Sequence, residues 1–365
     1  MFYGNKVYAE NNLMVSCDWL EFTMKDGFDE TSPAPYLYAL DLMGYKSEEF
    51  DLPSFGGNGY RGKVVRRLGN GEIKVYFHGA VSGMGIHVSV SGQCMDDVLE
   101  HFRNDNCSET PFSESAYTTD DFESTVFLDL LKIINRFGKV TRLDLALDDM
   151  GAQYFTVSEV KRYLDAGQYS SRIRHIGTIT SHDNGALSGE TVYLGKRTSD
   201  FMLRVYNKQL EQNNNRVHLE LPLLETPWVR WEMELKRDAA CAACNELISR
   251  KSLAVVCAGI LASKLRLIEW DNVRKTRCST LMRWEQFLCN VEKISIYRRP
   301  ESPAFDRAYA WLKRQVAPTL AMVLLAFGGS VDFIYELLES GNVRLSPKHM
   351  NMLRDYLYTY QEAIA

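Results

Sequence analysis

Along the first two thirds of the chain apolar and polar residues alternate with a period of two, the spacing that puts successive side chains on opposite faces of a strand. VSCDWLEFT at 15–23 is rich in strand formers, and 62–80 has the shape of a hairpin. Its strands meet at Leu68-Gly69-Asn70-Gly71, where Asn-Gly supplies the positive φ angles of a tight turn. GIHVSVS at 85–91 alternates up to Gly92. VTRLDLALD at 140–148 alternates strictly, with Leu143, Leu145 and Leu147 on one side and Arg142, Asp144, Ala146 and Asp148 on the other. Strands ETVYLG and FMLRVYNK flank a turn at 195–200. VRWEMELK at 229–236 sends Val229, Trp231, Met233 and Leu235 inward, and Arg230, Glu232, Glu234 and Lys236 outward. Phe127, Leu130, Leu131 and Ile134 predict a helix over 121–137 with Gly138 as C-cap, and Thr156 with Glu159 forms a capping box for a helix ending near Ala166.

After Arg237 the period changes to that of helices, predicted over 238–249, 252–268, 279–292, 304–316, 319–327, 331–339 and 346–362. The fold class is therefore α+β: an antiparallel sheet with packed helices over residues 1–240, then an all-helical region over 241–365. No internal repeat is visible.

Composition fits an ordinary globular chain, with 365 residues, 45% of them hydrophobic. A net charge of −5 argues mildly against a polyanion-binding protein until its distribution is considered. Residues 1–150 carry 24 acidic and 13 basic side chains, and residues 151–365 carry 23 and 29, so the second part can present a cationic face. No apolar run reaches the roughly 20 residues of a membrane span, and the N-terminus lacks the signature of a signal peptide. Eight scattered cysteines suggest reduced thiols in a cytoplasmic protein. Cys241 and Cys244, the only C-x-x-C, supply two of the four ligands zinc needs and read as small core residues on a helix.

The candidate chemistry lies on the polar side of three strands. Asp144 and Asp148 share one face, Glu232 and Glu234 another, and Arg204, Tyr206 and Lys208 a third. If these strands are neighbours, the set suits phosphoryl transfer. The carboxylates can hold a hard divalent cation, the tyrosine oxygen can act as nucleophile with nearby cations lowering its pKa, and Arg and Lys can clamp phosphate oxygens. From pattern alone, a solvated sheet face laced with cross-strand salt bridges explains the same residues better. His87, on the polar side of its strand, is a candidate accessory group. The glycines of SFGGNGYRG at 54–62 lack a P-loop continuation and read as a turn. No Arg…His-x-x-Arg…Tyr order of a tyrosine recombinase is found.

DWLEFT at 18–23, GMGIHVSVSGQ at 83–93, VTRLDLALDD at 140–149, YLGKRTSDFMLRVYNKQLEQ at 193–212 and VRWEMELKRDAA at 229–240 together resemble the replication initiation factor family, Rep_trans. RWEQFL and WLKRQVAPTLA resemble its C-terminal part. The family includes rolling-circle initiators of plasmids and filamentous phages and relaxases of conjugative elements. The resemblance implies a nicking-joining endonuclease that keeps a 5′-phosphate on a tyrosine and releases a 3′-hydroxyl. By position that tyrosine is Tyr206, assisted by Arg204 and Lys208, and Asp144, Asp148, Glu232 and Glu234 are the ligands of Mg²⁺ or Mn²⁺. Arg142, Lys196, Arg197, Arg230, Lys236, Lys264, Arg266, Arg274 and Lys275 are the expected DNA contacts. The partners implied are origin DNA, as a hairpin or single-stranded nick site, a host helicase and polymerase, and a second copy in a homodimer. Strand-like sequence within the first 20 residues, where conjugative relaxases of this type commonly carry a helix-turn-helix domain, favours a compact plasmid or phage initiator in a bacterial cytosol. A relaxase, a non-catalytic DNA-binding regulator, and a nuclease or phosphatase that uses water as nucleophile are the rival readings.

Overall fold

The computed structural model describes residues 4–29, 31–53, 55–106, 125–296 and 305–362. They fall into two compact units, Met1–Tyr297 and Arg298–Ala365. In the first, ten strands form one antiparallel sheet: β1 (Lys6–Tyr8), β2 (Met14–Met24), β3 (Tyr60–Leu68), β4 (Gly71–Gly79), β5 (Ile86–Ser91), β6 (Gly138–Met150), β8 (Ile176–Asp183), β9 (Ala186–Leu194), β10 (Phe201–Asn207) and β11 (Trp228–Lys236). β7 (Tyr169–Ser171) pairs instead with β12 (Leu265–Leu267) in a two-stranded ribbon. The order across the large sheet is β3-β4-β5-β2-β6-β11-β10-β9-β8, with β1 paired to β2.

The expected strands are all present, and the details that differ have local causes. In the β3–β4 turn the positive φ falls on Gly69 rather than on Asn-Gly, as in a turn whose first central residue must be glycine. Gly138 is not a left-handed cap. Its φ of −178° is extended, and it opens β6 where a Cβ would lie 2.0 Å from the Thr23 carbonyl oxygen on β2, so glycine is needed for close approach of two strands. The predicted helix over 252–268 stops at Lys264 because 265–267 joins the ribbon.

Among the described residues this unit has the α-helices α1 (Tyr36–Leu42), α2 (Cys94–Asn106), α3 (Val126–Phe137), α4 (Val157–Asp165), α5 (Lys208–His218), α6 (Arg237–Arg250), α7 (Leu253–Lys264) and α8 (Met282–Phe287). Thr125 caps α3, and the capping box of Thr156 and Glu159 on α4 has both its hydrogen bonds. Residues 121–124 of the predicted α3 lie outside the described residues. Leu143, Leu145 and Leu147 of β6 and Met233 and Leu235 of β11 are completely buried on the apolar face of the sheet. Ala240, Ala243 and Cys244 let α6 lie close to that face, and Val256, Ile260 and Leu261 of α7 are equally buried. Cys241 and Cys244 are free thiols on α6, Cys244 buried.

The boundary near residue 240 therefore marks a change of secondary structure and not the edge of a compact unit. α6 and α7 belong to the sheet's core, and Trp284 and Phe287 of α8 pack their rings 5.3 and 5.0 Å from that of Trp231 on β11. The second unit comprises α9 (Phe305–Trp311), α10 (Ala317–Ala326), α11 (Asp332–Asn342) and α12 (Pro347–Glu362); α10 and α11 bury no residue.

The topology contains a repeat that the sequence conceals. With β7, β8 and α5 set aside as insertions in the second, β2-α1-β3-β4-β5-α2 and β6-α4-β9-β10-β11-α6 follow the same order with the same pairings, and the halves join through antiparallel β2 and β6. Aligning the starts of α2 and α6 puts Tyr76 of β4 in register with Tyr206 of β10, and His87 of β5 with Arg230 of β11.

Candidate active site

β6, β11 and β10 are consecutive in the sheet, so the polar faces of the three strands form one surface. In register, Tyr206 lies opposite Arg230 and Arg230 opposite Asp148, while Arg204 lies opposite Glu232 and Glu234 opposite Asp144. The convergence expected from the sequence is realised, and the side chains sort into three groups.

The first is built on Tyr206. Its hydroxyl donates to Glu232 Oε2 at 3.0 Å, and Lys208 Nζ donates to the phenol oxygen at 3.4 Å. Arg204 pairs with the other oxygen of Glu232, while its Nε is buried without a partner. Lys208 stands at the first position of α5, whose N-terminus is capped by Asn207, and pairs with Glu211 one turn on. The expectation that flanking cations lower the tyrosine's pKa is reversed. Burial and the neighbouring Glu232 charge push Tyr206 well above the ordinary phenol range, outweighing Arg230. The phenol is therefore held neutral, with a carboxylate placed to receive its proton.

The second group is a buried ion pair. Arg230, 6% exposed, donates from Nε and Nη2 to the two oxygens of Asp148, each at 2.7 Å, and Trp228 Nε1 donates to Oδ1 at 2.6 Å. Arg230 also pairs with Asp18. Burial opposes its charge, but Asp148 and Asp18 outweigh burial and hold the guanidinium above its ordinary range. The third group centres on Arg142. Its Nε and Nη2 reach Asp144 at 2.9 and 2.7 Å, its Nη2 reaches Glu234 at 3.0 Å, and its guanidinium lies 4.0 Å from the Trp19 ring. Burial, with Glu232 and Glu234 adding to it, pushes Asp144 up to about 7 against the pull of Arg142. Glu234 moves the other way, because Lys236 and Arg142 outweigh its burial.

The four carboxylates do not make a metal centre in this arrangement. Each is paired with a cation, and among the described residues no three acidic, histidine or cysteine side chains are gathered to hold an ion. Only Glu232 touches the tyrosine. In these ion pairs the four carboxylates do not fit a resident Mg²⁺ or Mn²⁺ as a set.

The expected DNA contacts also divide. Arg142 and Arg230 are built into ion pairs under the sheet surface, and Arg266 donates to the carbonyls of Lys275, Thr276 and Cys278, so all three hold the fold together. Lys236 pairs with Glu234 and donates to the Arg197 carbonyl at 2.8 Å. Lys275 lies over the rings of Tyr169 and Trp270. Lys196, Arg197 and Arg274 are exposed, and Lys264 is half-buried over the Phe201 ring. His87 is not part of the tyrosine site: three strands separate β5 from β10, about 19 Å across the sheet. It bonds Thr23 at 3.0 Å, and burial lowers its pKa against the pull of Glu21.

Asp18, Trp19, Glu211 and Trp228 are contributors that the alternation pattern did not single out. Trp228 was legible, being two residues from Arg230 on the same strand face. Asp18 was not, because a bulge in β2 between Cys17 and Trp19 sets its direction.

A model of the family described as replication initiation factor, Rep_trans, matches residues 138–338, more than half of the chain and starting at the first residue of β6. The chain belongs to the replication initiation factor family. A Bacillus subtilis (strain 168) protein named "Putative DNA relaxase NicK" is 30% identical over 226 residues, covering 60% of this chain and 62% of that protein. The match thus spans less than two thirds of that relative. The solved rolling circle replication initiator protein from Geobacillus stearothermophilus has the same fold, with a TM-score of 0.57 at 23% identity over 78% of this chain and 99% of that one. The family match covers the second repeat, which carries Tyr206, Glu232 and the two buried arginine–aspartate pairs. Among the described residues no helix is long and apolar enough to cross a membrane.

Proposed function

We propose that this member of the replication initiation factor family nicks and rejoins one strand of origin DNA through a covalent link to Tyr206. The observation that supports it best is the hydrogen bond from the Tyr206 hydroxyl to Glu232, with Lys208 on the same oxygen.

The scissile phosphate approaches the Tyr206 oxygen, and Glu232 takes the phenol proton as the O–P bond forms. The bond from phosphorus to O3′ breaks on the opposite side, and the leaving 3′ oxygen takes a proton from solvent. The products are a 5′-phosphotyrosine and a free 3′-hydroxyl. Lys208, on the attacking oxygen, and Arg204, on the other oxygen of Glu232, offset the negative charge that gathers on the non-bridging oxygens. Arg230–Asp148 and Arg142–Glu234 tie β11 to β6 beside the reacting groups. Rejoining is the same sequence reversed. The chemistry serves a replication initiator and a relaxase alike; the NicK likeness supports the second role.

The test is incubation with a labelled single-stranded oligonucleotide carrying the nick site of the element's own origin, plus Mn²⁺, followed by denaturing electrophoresis. A shifted covalent band with the natural protein and none with Tyr206→Phe is the expected result. An adduct of unchanged yield in Tyr206→Phe overturns the assignment, and cleavage without an adduct points to water as nucleophile.

A further inference from the structure

Beside the β9–β10 turn lies a cleft of about 550 Å³ lined by Arg172, Arg174, His175, Lys196 and Lys264, with no carboxylate among its lining residues. Arg172, Arg174 and Lys196 are exposed, and none of the three, nor Lys264, has an ion-pair partner among the described residues. Asp200, at the end of the same turn, is already engaged by Arg237. The walls are fixed rather than loose. Ser171 Oγ donates to the Lys264 carbonyl at 2.6 Å, Gly195 N donates to the His175 carbonyl at 2.9 Å, and Lys236 holds the turn through the Arg197 carbonyl. Gly195 has a φ of +100°, and a Cβ there would lie 2.8 Å from the Phe201 carbonyl oxygen, so the turn that presents Lys196 requires glycine.

Unpaired cations held together repel one another. Burial and the nearby Arg172 charge both lower the pKa of Lys264. A bound polyanion relieves that repulsion, and the cleft is far larger than a single ion needs.

We infer that this cleft grips the phosphate backbone of duplex DNA flanking the nick site. This rests on the DNA-nicking reading above and extends it to a second contact. Phe201 at the cleft and Tyr206 lie five residues apart on β10 and face opposite sides of the sheet. The separation along the strand is about 17 Å, equal to about five base pairs of duplex rise. The cleft therefore holds backbone at least that far from the scissile phosphate, which suits a hairpin stem and not the unpaired nucleotides at Tyr206.

The test uses full-length Tyr206→Phe protein, so that binding is read without chemistry. Arg174→Glu with Lys196→Glu is compared with the charge-preserving Arg174→Lys with Lys196→Arg. The probes are a fluorescent duplex of about 20 base pairs and an oligothymidylate of the same length, titrated by anisotropy at several salt concentrations. Charge reversal is expected to weaken duplex binding about 10-fold or more and to lower the log–log salt slope by about 2, leaving oligothymidylate binding within about two-fold. The charge-preserving pair is expected to bind as the parent does. Unchanged duplex affinity overturns the proposal, as does an equal loss on both probes or loss in the charge-preserving pair. Micromolar ATP binding that charge reversal removes would reassign the cleft to free nucleotides. Adduct formation on a single-stranded nick site, measured separately with Tyr206 intact, reports on the nicking reading alone.

Discussion

The Tyr206 hydroxyl donates to a carboxylate 3.0 Å away, Glu232, although the same phenol oxygen accepts a hydrogen bond from Lys208 at 3.4 Å. A phenol held neutral beside a base loses its proton as it attacks. Glu232→Gln is therefore expected to slow single-turnover adduct formation by about 10²- to 10⁴-fold without weakening DNA binding. Because the folded-state pKa of Tyr206 is raised, the residual rate of the variant should climb as pH rises above neutral, while the parent's varies less. A pH–rate profile of the two proteins checks both.

Tyr76 occupies the corresponding place in the first repeat, but Ser89 stands where the second repeat has Glu232, and Lys74 where it has Arg204. Tyr76 thus has a serine where Tyr206 has the carboxylate that receives its proton. Tyr76→Phe is expected to leave adduct yield and rate unchanged in the electrophoretic assay.

Asp148 is fully buried against Arg230, so neutralising it strands a buried guanidinium with only Asp18 as partner. Asp148→Asn is expected to cost on the order of 3 kcal/mol in urea unfolding. If Asp148 were instead a metal ligand, the variant would shift the Mn²⁺ concentration needed for nicking with little change in stability. For the same reason Mn²⁺ should not raise the melting temperature of the DNA-free protein; a rise abolished by Glu232→Gln would locate an ion at that carboxylate.

Asp144 binds its proton more tightly in the folded chain, near pH 7, than when unfolded. With a raised acid pKa the folded state holds more protons between about pH 4 and 7, so this group's contribution to stability falls as pH rises through that window. Asp144→Asn lacks that titration. Its stability deficit relative to the parent should be larger at about pH 5.5 than at about pH 8, as measured by urea midpoints.

Residues 1–297 alone are expected to unfold in one cooperative transition, because they form one compact unit. Residues 1–240 should not, since truncation there removes α7 and most of α6 and exposes the apolar face of β6 and β2. Circular dichroism during urea titration distinguishes the two.

By itself the sequence determined which residues face the core and which face outward, because strand alternation is a local property: Leu143, Leu145 and Leu147 against Arg142, Asp144 and Asp148 follow from bond geometry. It also located the helix starts where a side chain reaches its own backbone, as Thr156 does. What alternation could not reach is which strands become neighbours. Strand order placed Glu232 between Tyr206 and Asp144 and moved His87 away from the tyrosine by three strands. Burial then decided the roles. The same alternation pattern made Asp148 a sealed partner of Arg230, left Glu232 touching the phenol, and raised the tyrosine's pKa where the flanking cations alone pointed the other way. Those outcomes depend on how many oxygens and charges surround each group in three dimensions, which no spacing along the chain records.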